Sequence, residues 1–127
     1  MSGTSRLVEF QTFNSSIARD YVMTICNDYE INCDDSFDAE VTKLLLKYGI
    51  LKKHDEKTVG GYVLDAKVLL NKDITEELNR ELEKMGKYII LLTEPDNEFY
   101  EIIKVEDEEE NIKFLLDFLK NQEVREH

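Results

Sequence analysis

Two histidines, two cysteines and a large excess of carboxylates are the residues with which this 127-residue chain could do chemistry. His54 stands beside Asp55 and Glu56 in the polar stretch HDEKT, and His127 is the last residue. General acid–base catalysis needs an imidazole held against a partner in a pocket. A solvated turn and a chain end offer neither. Cys26 and Cys33 are the only cysteines, and no close pair such as C-x2-C accompanies them. Adding His54 gives three zinc-binding groups without the spacing of a structural zinc site. The expectation is two buried, reduced thiols, Cys26 lying on a helix. The acidic stretch from Asp28 to Glu40 suggests calcium. With Asp34 as first residue of an EF-hand loop, Ser36 and Asp38 fall correctly, but Ala39 stands where glycine belongs and Leu45 where the bidentate glutamate belongs. Helix caps and solvated carboxylates are expected there instead. Neither G-x-x-x-x-G-K-[ST], G-x-G-x-x-G nor G-x-S-x-G occurs. No catalytic residue, metal site or cofactor is therefore assigned, and an enzyme with an unrecognised site is kept as the third reading.

What remains is charge. The chain has 28 acidic and 16 basic residues, a net of −12. Most of the imbalance is C-terminal, and nine carboxylates with a single lysine, Lys104, lie between Glu94 and Glu110. Such a surface repels nucleic acid and anionic membrane and attracts basic protein surfaces. The candidate partner-binding residues are Glu94, Asp96, Glu98 and Glu101 around one turn, and Asp107, Glu108, Glu109 and Glu110 at a helix start. Carboxylates in the first turn of a helix are also favoured by its dipole, by about 0.3–1 kcal/mol each.

The elements that must position these groups can be read from periodicity. The length fits one domain over residues 1–127, with 1–5 frayed. Leu7, Val8 and Phe10 suggest a first strand or a strap. A first helix runs from Ser15 or Ser16 to about Tyr29, capped by one of those serines, with Ile17, Tyr21 and Ile25 near helical spacing. EINCDDS breaks the pattern, and Asp34, Asp35 and Ser36 are the next cap candidates. Phe37, Val41, Leu44, Leu45 and Tyr48 form the apolar stripe of a second helix, stopped by Gly49. Ile50 to Lys53 and Gly60 to Leu64 read as a hairpin. Asp73 and Glu76 stand at capping-box spacing before a third helix, about Ile74 to Met85, which Gly86 ends. Lys87 to Leu92 and Phe99 to Val105 flank the turn formers Pro95, Asp96 and Asn97 as a second hairpin. Asp107 and Glu110 open a last helix to about Asn121, whose apolar face is Ile112, Leu115, Leu116 and Leu119, widened by Phe114 and Phe118. Helices and hairpins in this order make an α+β fold in a single domain, four helices with two β-hairpins and an extra N-terminal strand.

The segment SFDAEVTKLLLKYGILKKHDEKTVGGYVLD, residues 36–65, resembles part of a winged-helix domain. In that family a last helix ends at a glycine, a strand follows, and a polar wing returns through an apolar strand. The resemblance implies a recognition helix from Phe37 to Tyr48 and a wing from Lys53 to Gly61. It covers about a quarter of the chain, without a fixed motif. With Lys43 and Lys47 balanced by Asp38 and Glu40, it implies contact with protein rather than DNA.

No run approaches the roughly 18 apolar residues that span a membrane. The opening MSGTSRLVEF lacks the apolar core of a signal peptide. With reduced cysteines, the expected location is the cytoplasm, or the host cytoplasm for a viral protein. The function expected is a non-enzymatic, acidic protein-binding protein, an inhibitor of immunity, antitoxin or phage type. Its partner would be a basic protein surface such as a toxin or a nucleic-acid-binding protein, with no direct nucleic acid and no membrane contact. The alternative is a winged-helix regulatory or adaptor protein. Oligomeric state does not follow from the residues.

Overall fold

The strongest structural signal in the chain is YIILLT, Tyr88–Thr93, buried at every position. A strand buried on both faces must lie inside a sheet covered on both sides. The computed structural model describes residues 5–35, 38–53, 61–95 and 99–120. Its elements, in chain order, are β1 (Leu7–Gln11), α1 (Ser15–Asp28), β2 (Cys33–Asp34), α2 (Ala39–Lys47), β3 (Leu51–Lys53), β4 (Tyr62–Leu64), a short 3-10 helix (Ala66–Leu70), α3 (Lys72–Met85), β5 (Tyr88–Thr93), β6 (Tyr100–Val105) and α4 (Glu109–Lys120). The fold is α+β, with four α-helices and six strands in two sheets among the described residues.

The main sheet has the order β1-β5-β6-β2, and β3 pairs with β4 in a second, two-stranded sheet. β5 and β6 are the expected antiparallel hairpin, with Tyr88 opposite Val105 and Thr93 opposite Tyr100. The N-terminal segment is a strand rather than a strap, and it joins β5 in parallel. Alternation along β5 separates two cores. Tyr88, Ile90 and Leu92 pack with Ile103 and Val105 against α1 and α4. Ile89 and Leu91 pack with Leu45, Ile50, Leu64, Leu78 and Leu82 on the opposite face. The result is three layers: α1 and α4, the sheet, then α2, α3 and the β3–β4 hairpin.

Local chemistry explains the boundaries. Asn14 caps α1, its side chain accepting from Ile17 N at 3.1 Å. Asn14 thus takes the place of the expected serine cap, one residue before Ser15 and two before Ser16. Ser15 is buried, and the inward face is Ser15, Ala18, Val22, Ile25 and Cys26, with Ile17 left in solvent. Asp38 caps α2, two to four residues beyond the Asp34, Asp35 and Ser36 candidates. Asn71 caps α3 by accepting from Asp73 N and Ile74 N, so that helix starts at Lys72. Gly49 and Gly86 end α2 and α3 at φ values of 79° and 68°, the left-handed region that only glycine enters without strain. Phe37, the turn 54–60, His127 and the end of the last helix beyond Lys120 lie outside the described residues.

The expectation of two reduced thiols is overturned. Cys26 and Cys33 form a disulfide, with Cα atoms 6.2 Å apart. After α1 the chain reverses through Glu30 at φ 56°, and Ile31 N–H donates to the Cys26 carbonyl at 2.8 Å. The return path pairs Cys33 with Val105 at the sheet edge, directly beside the last turn of α1. The short loop it closes predicts that the Cys26→Ser, Cys33→Ser variant loses about 2–3 kcal/mol. Guanidinium unfolding of the variant and of the oxidised protein measures this, and equal midpoints would refute it.

Candidate functional site

Six of the eight predicted carboxylates can now be placed. Glu94 follows β5 directly, and its Oε2 accepts from Ser15 N at 2.8 Å and from Ser15 Oγ at 3.0 Å. It therefore satisfies an amide at the start of α1, one that the helix itself leaves unpaired. Glu101, on β6, pairs with Arg19 of α1 at 3.1 Å. Asp107 accepts from Asn32 N at 2.8 Å, from Glu108 N at 2.7 Å and from Asn111 Nδ2 at 2.7 Å. The Asn32 amide, then the Asn111 side chain, hold its carboxyl below the usual carboxylate range. Glu108 and Glu110 are exposed and Glu109 is half-buried. Asp96 and Glu98 lie outside the described residues. The structure separates the two groups: Glu94 and Glu101 sit at the start of β6, and Asp107 to Glu110 follow its end, about 17 Å away at strand rise. Glu94, Glu101 and Asp107 thus have structural partners, which their types alone do not disclose.

Glu94 gives a direct test of this reading. Glu94→Ala should cost about 1–2 kcal/mol, the range for losing a helix-start acceptor. Thermal unfolding beside Glu108→Ala, which should change little, measures it; equal effects would refute the structural role.

The corner around Glu94 and Glu101 carries what sequence reading missed. Phe13 is 84% exposed, Ile17 66% and Phe99 62%. Phe99 lines a shallow concavity with Asn14, Ser16, Glu94, Tyr100 and Glu101. Three large apolar side chains thus stand in solvent at the end of the sheet where two of the acids lie. Phe13 immediately precedes the Asn14 cap, the position from which a side chain staples onto the following helix turn. Its exposure shows that no staple forms, and the sequence has no signal for that.

Next to this corner, on the face of the sheet covered by α2, lies a groove of about 220 Å³. Tyr100, Ile102 and Lys104 of β6 form one wall. Val41 and Thr42 of α2, Leu51 of β3 and Tyr62 of β4 form the other. Asp35 and Asp38 are acids of its lining, and Glu101 lies at its rim with its carboxylate turned to Arg19 of α1. Tyr100 ties the walls together, its hydroxyl donating to the Tyr62 carbonyl at 3.1 Å. Asp38 sits between two lysines, Lys104 at 3.0 Å and Lys87 at 3.5 Å. Each lysine has a second acid, Glu106 and Glu40, both at 3.1 Å. The Val41 amide and these lysines hold the Asp38 carboxyl down at about 2. At the groove mouth, Arg19 lies 3.1 Å from Asp20, 3.5 Å from Asp35 and 3.1 Å from Glu101. Among the described residues there is no group of histidine, cysteine and acid side chains arranged to hold a metal ion.

The described part of residues 36–65 holds α2, the Gly49 stop and the antiparallel β3–β4 pair. The wing tip, residues 54–60, lies outside the described residues. Comparison with protein-family models, with curated proteins and with solved structures finds no match to this chain. The fold defines an α+β protein with one acidic, partly apolar corner and an adjoining groove; the functional reading rests on those features.

Proposed function

We propose that this chain is a non-enzymatic protein-binding protein that docks on a basic partner and acts as an inhibitor. The partner class is a basic toxin, opposed by an immunity protein or antitoxin, or a nucleic-acid-binding protein whose groove is filled by carboxylates in place of phosphates. The observation that carries the reading is the exposed apolar corner of Phe13, Ile17 and Phe99, set beside Glu94 and Glu101 in a chain of net charge −12. Apolar anchors inside a charged rim are the anatomy of a docking surface. The charge supplies steering toward a basic partner. Direct nucleic-acid binding has no place in this reading, because a surface of this sign cannot release the counterions that drive it.

The test is affinity capture from lysate of the source organism by the wild type and by a Phe13→Ser, Phe99→Ser variant. A basic protein held at about 150 mM salt, released near 1 M and not captured by the variant supports the reading. Capture of only acidic proteins, or equal capture by the variant, overturns it. A second reading, a winged-helix regulator or adaptor using residues 36–65, draws support from β3 and β4 pairing directly after α2. No helix among the described residues is long and apolar enough to cross a membrane. The cytoplasmic expectation drew on reduced thiols, and the Cys26–Cys33 bond removes that support. The inhibitor reading therefore carries no compartment with it.

A further inference from the structure

We infer that the groove between β6 and the α2–β3–β4 wall is an anchor pocket for an arginine side chain of the basic partner. This rests on the protein-binding reading for the source of the arginine, but the pocket's chemistry stands on its own. The first argument is shape. A volume of about 220 Å³, walled by Val41, Leu51, Tyr62, Tyr100 and Ile102, fits an alkyl stem and a flat head. Two tyrosines offer ring faces on which a guanidinium stacks.

The second argument is local charge. Asp20, Asp35 and Glu101 share one guanidinium, that of Arg19. Asp38, Glu40 and Glu106 share Lys87 and Lys104. Both clusters are therefore net negative, and Asp35 and Asp38 line the groove itself, while the Glu101 side chain alternates to the α1 face and meets Arg19 there. Arg19 already shows how a guanidinium is held at the mouth, bridging Asp35 and Glu101. An incoming arginine would share the Asp35 carboxylate, while a neutral side chain would not.

The third argument is the open backbone. Asp34 pairs with Lys104, and Glu106 N–H donates to the Asn32 carbonyl, so even-numbered residues of β6 turn their backbone groups toward β2. β2 ends at Asp34. By strand alternation the carbonyl of Tyr100 points the same way, along the groove edge. It is an acceptor for a head with five N–H donors, a geometry that suits arginine better than lysine. The groove also shares Tyr100 and Glu101 with the corner that carries Phe99, so one partner surface can engage both.

The experiment uses the full chain labelled with nitrogen-15 and titrated with a blocked arginine, N-acetyl-arginine methylamide. The controls are the blocked citrulline isostere, which keeps the shape and loses the charge, and blocked lysine. Saturable amide shifts at Asp35, Tyr62 and Tyr100 to Lys104 are expected, with citrulline weaker by about tenfold or more. Asp35→Asn should weaken arginine severalfold. Arg19→Gln should strengthen it severalfold, because it frees the Asp35 carboxylate, which a merely structural Arg19 would not be contesting. Equal binding of citrulline or lysine, shifts scattered over the acidic surface, or no gain in Arg19→Gln would overturn the inference. If arginine binds as described and no basic protein is captured, the pocket stands and the inhibitor reading falls. Capture without arginine binding leaves the opposite result.

Discussion

Asp38→Ala is expected to destabilise the fold by about 3 kcal/mol, although the residue stands at the edge of a helix. About 1 kcal/mol of this is the lost N-cap, since Asp38 accepts from Val41 N at 3.0 Å. The remainder is the loss of charge-assisted bonds to two lysines in a partly dry site. The Lys87 side chain is only 10% exposed, and Glu40 and Glu106, the second acids of Lys87 and Lys104, are both more exposed than Asp38. Removing Asp38 therefore leaves a buried ammonium with its weaker partner. Asp38→Asn separates the contributions, because asparagine keeps the cap and loses the charge. Urea unfolding at neutral pH should rank the stabilities wild type, then Asp38→Asn, then Asp38→Ala. A loss below about 0.5 kcal/mol in both would show that the lysines need only their outer acids.

The same group sets a pH dependence whose sign is fixed. Its carboxyl is held at about 2 in the folded chain, against an ordinary value of 3.8. A depressed pKa contributes stability that is full above the unfolded value and is lost as pH falls toward the folded one. The difference between wild type and Asp38→Asn should therefore be constant above about pH 5 and should shrink between about pH 4 and pH 2. Asp107 is shifted the same way by the Asn32 amide and Asn111, so the wild type has a second contribution in that window that Asp38→Asn retains. A gap that stays constant down to pH 2 would mean that neither the Val41 amide nor the lysines hold the Asp38 carboxyl down.

The legible parts of this chain were those where local chemistry decides. Gly49 and Gly86 stop helices because their left-handed conformation is a property of the residue. The β5–β6 hairpin was legible from two apolar runs around a proline turn. The stripe through Val41, Leu44 and Leu45 was legible because all three are buried. What was not legible depends on partners distant in sequence. β1 joins the main sheet, as an edge strand, only because β5, some eighty residues later, lies parallel to it. The disulfide depends on a reversal at Glu30 that returns Cys33 beside Cys26. Glu94 and Glu101 looked like free surface charge, because the helix start and the arginine that hold them are on α1. That correction bears on design. Reversing Glu94 and Glu101 to lysine would break internal contacts, whereas Glu108 and Glu110 are exposed and can be changed with less structural consequence.

Leu45→Ala is expected to show the second large effect, about 3–5 kcal/mol, with Leu44→Ala lower, at about 2–3 kcal/mol. Leu45 is 1% exposed and Leu44 7%, and both pack in the cluster that joins α2 to Ile89 and Leu91 of the central strand. The difference follows from how far each cavity can collapse: a fully enclosed side chain leaves a void, while one near the rim lets neighbours or water move in. The prediction reaches the groove because Val41 and Thr42, one turn earlier on α2, are part of its wall. α2 has only nine residues and cannot hold its place by helix propensity alone, so its packing onto β5 must fix that wall. Leu45→Ala should therefore weaken the blocked-arginine probe at concentrations where the chain is still folded, and Leu119→Ala should not. Leu119 is as deeply buried but lies in the opposite core, on the inward face of α4. Comparing the two variants at matched stability separates a loosened groove wall from a general loss of fold. Equal weakening by both would mean that α2 has no particular hold on the groove.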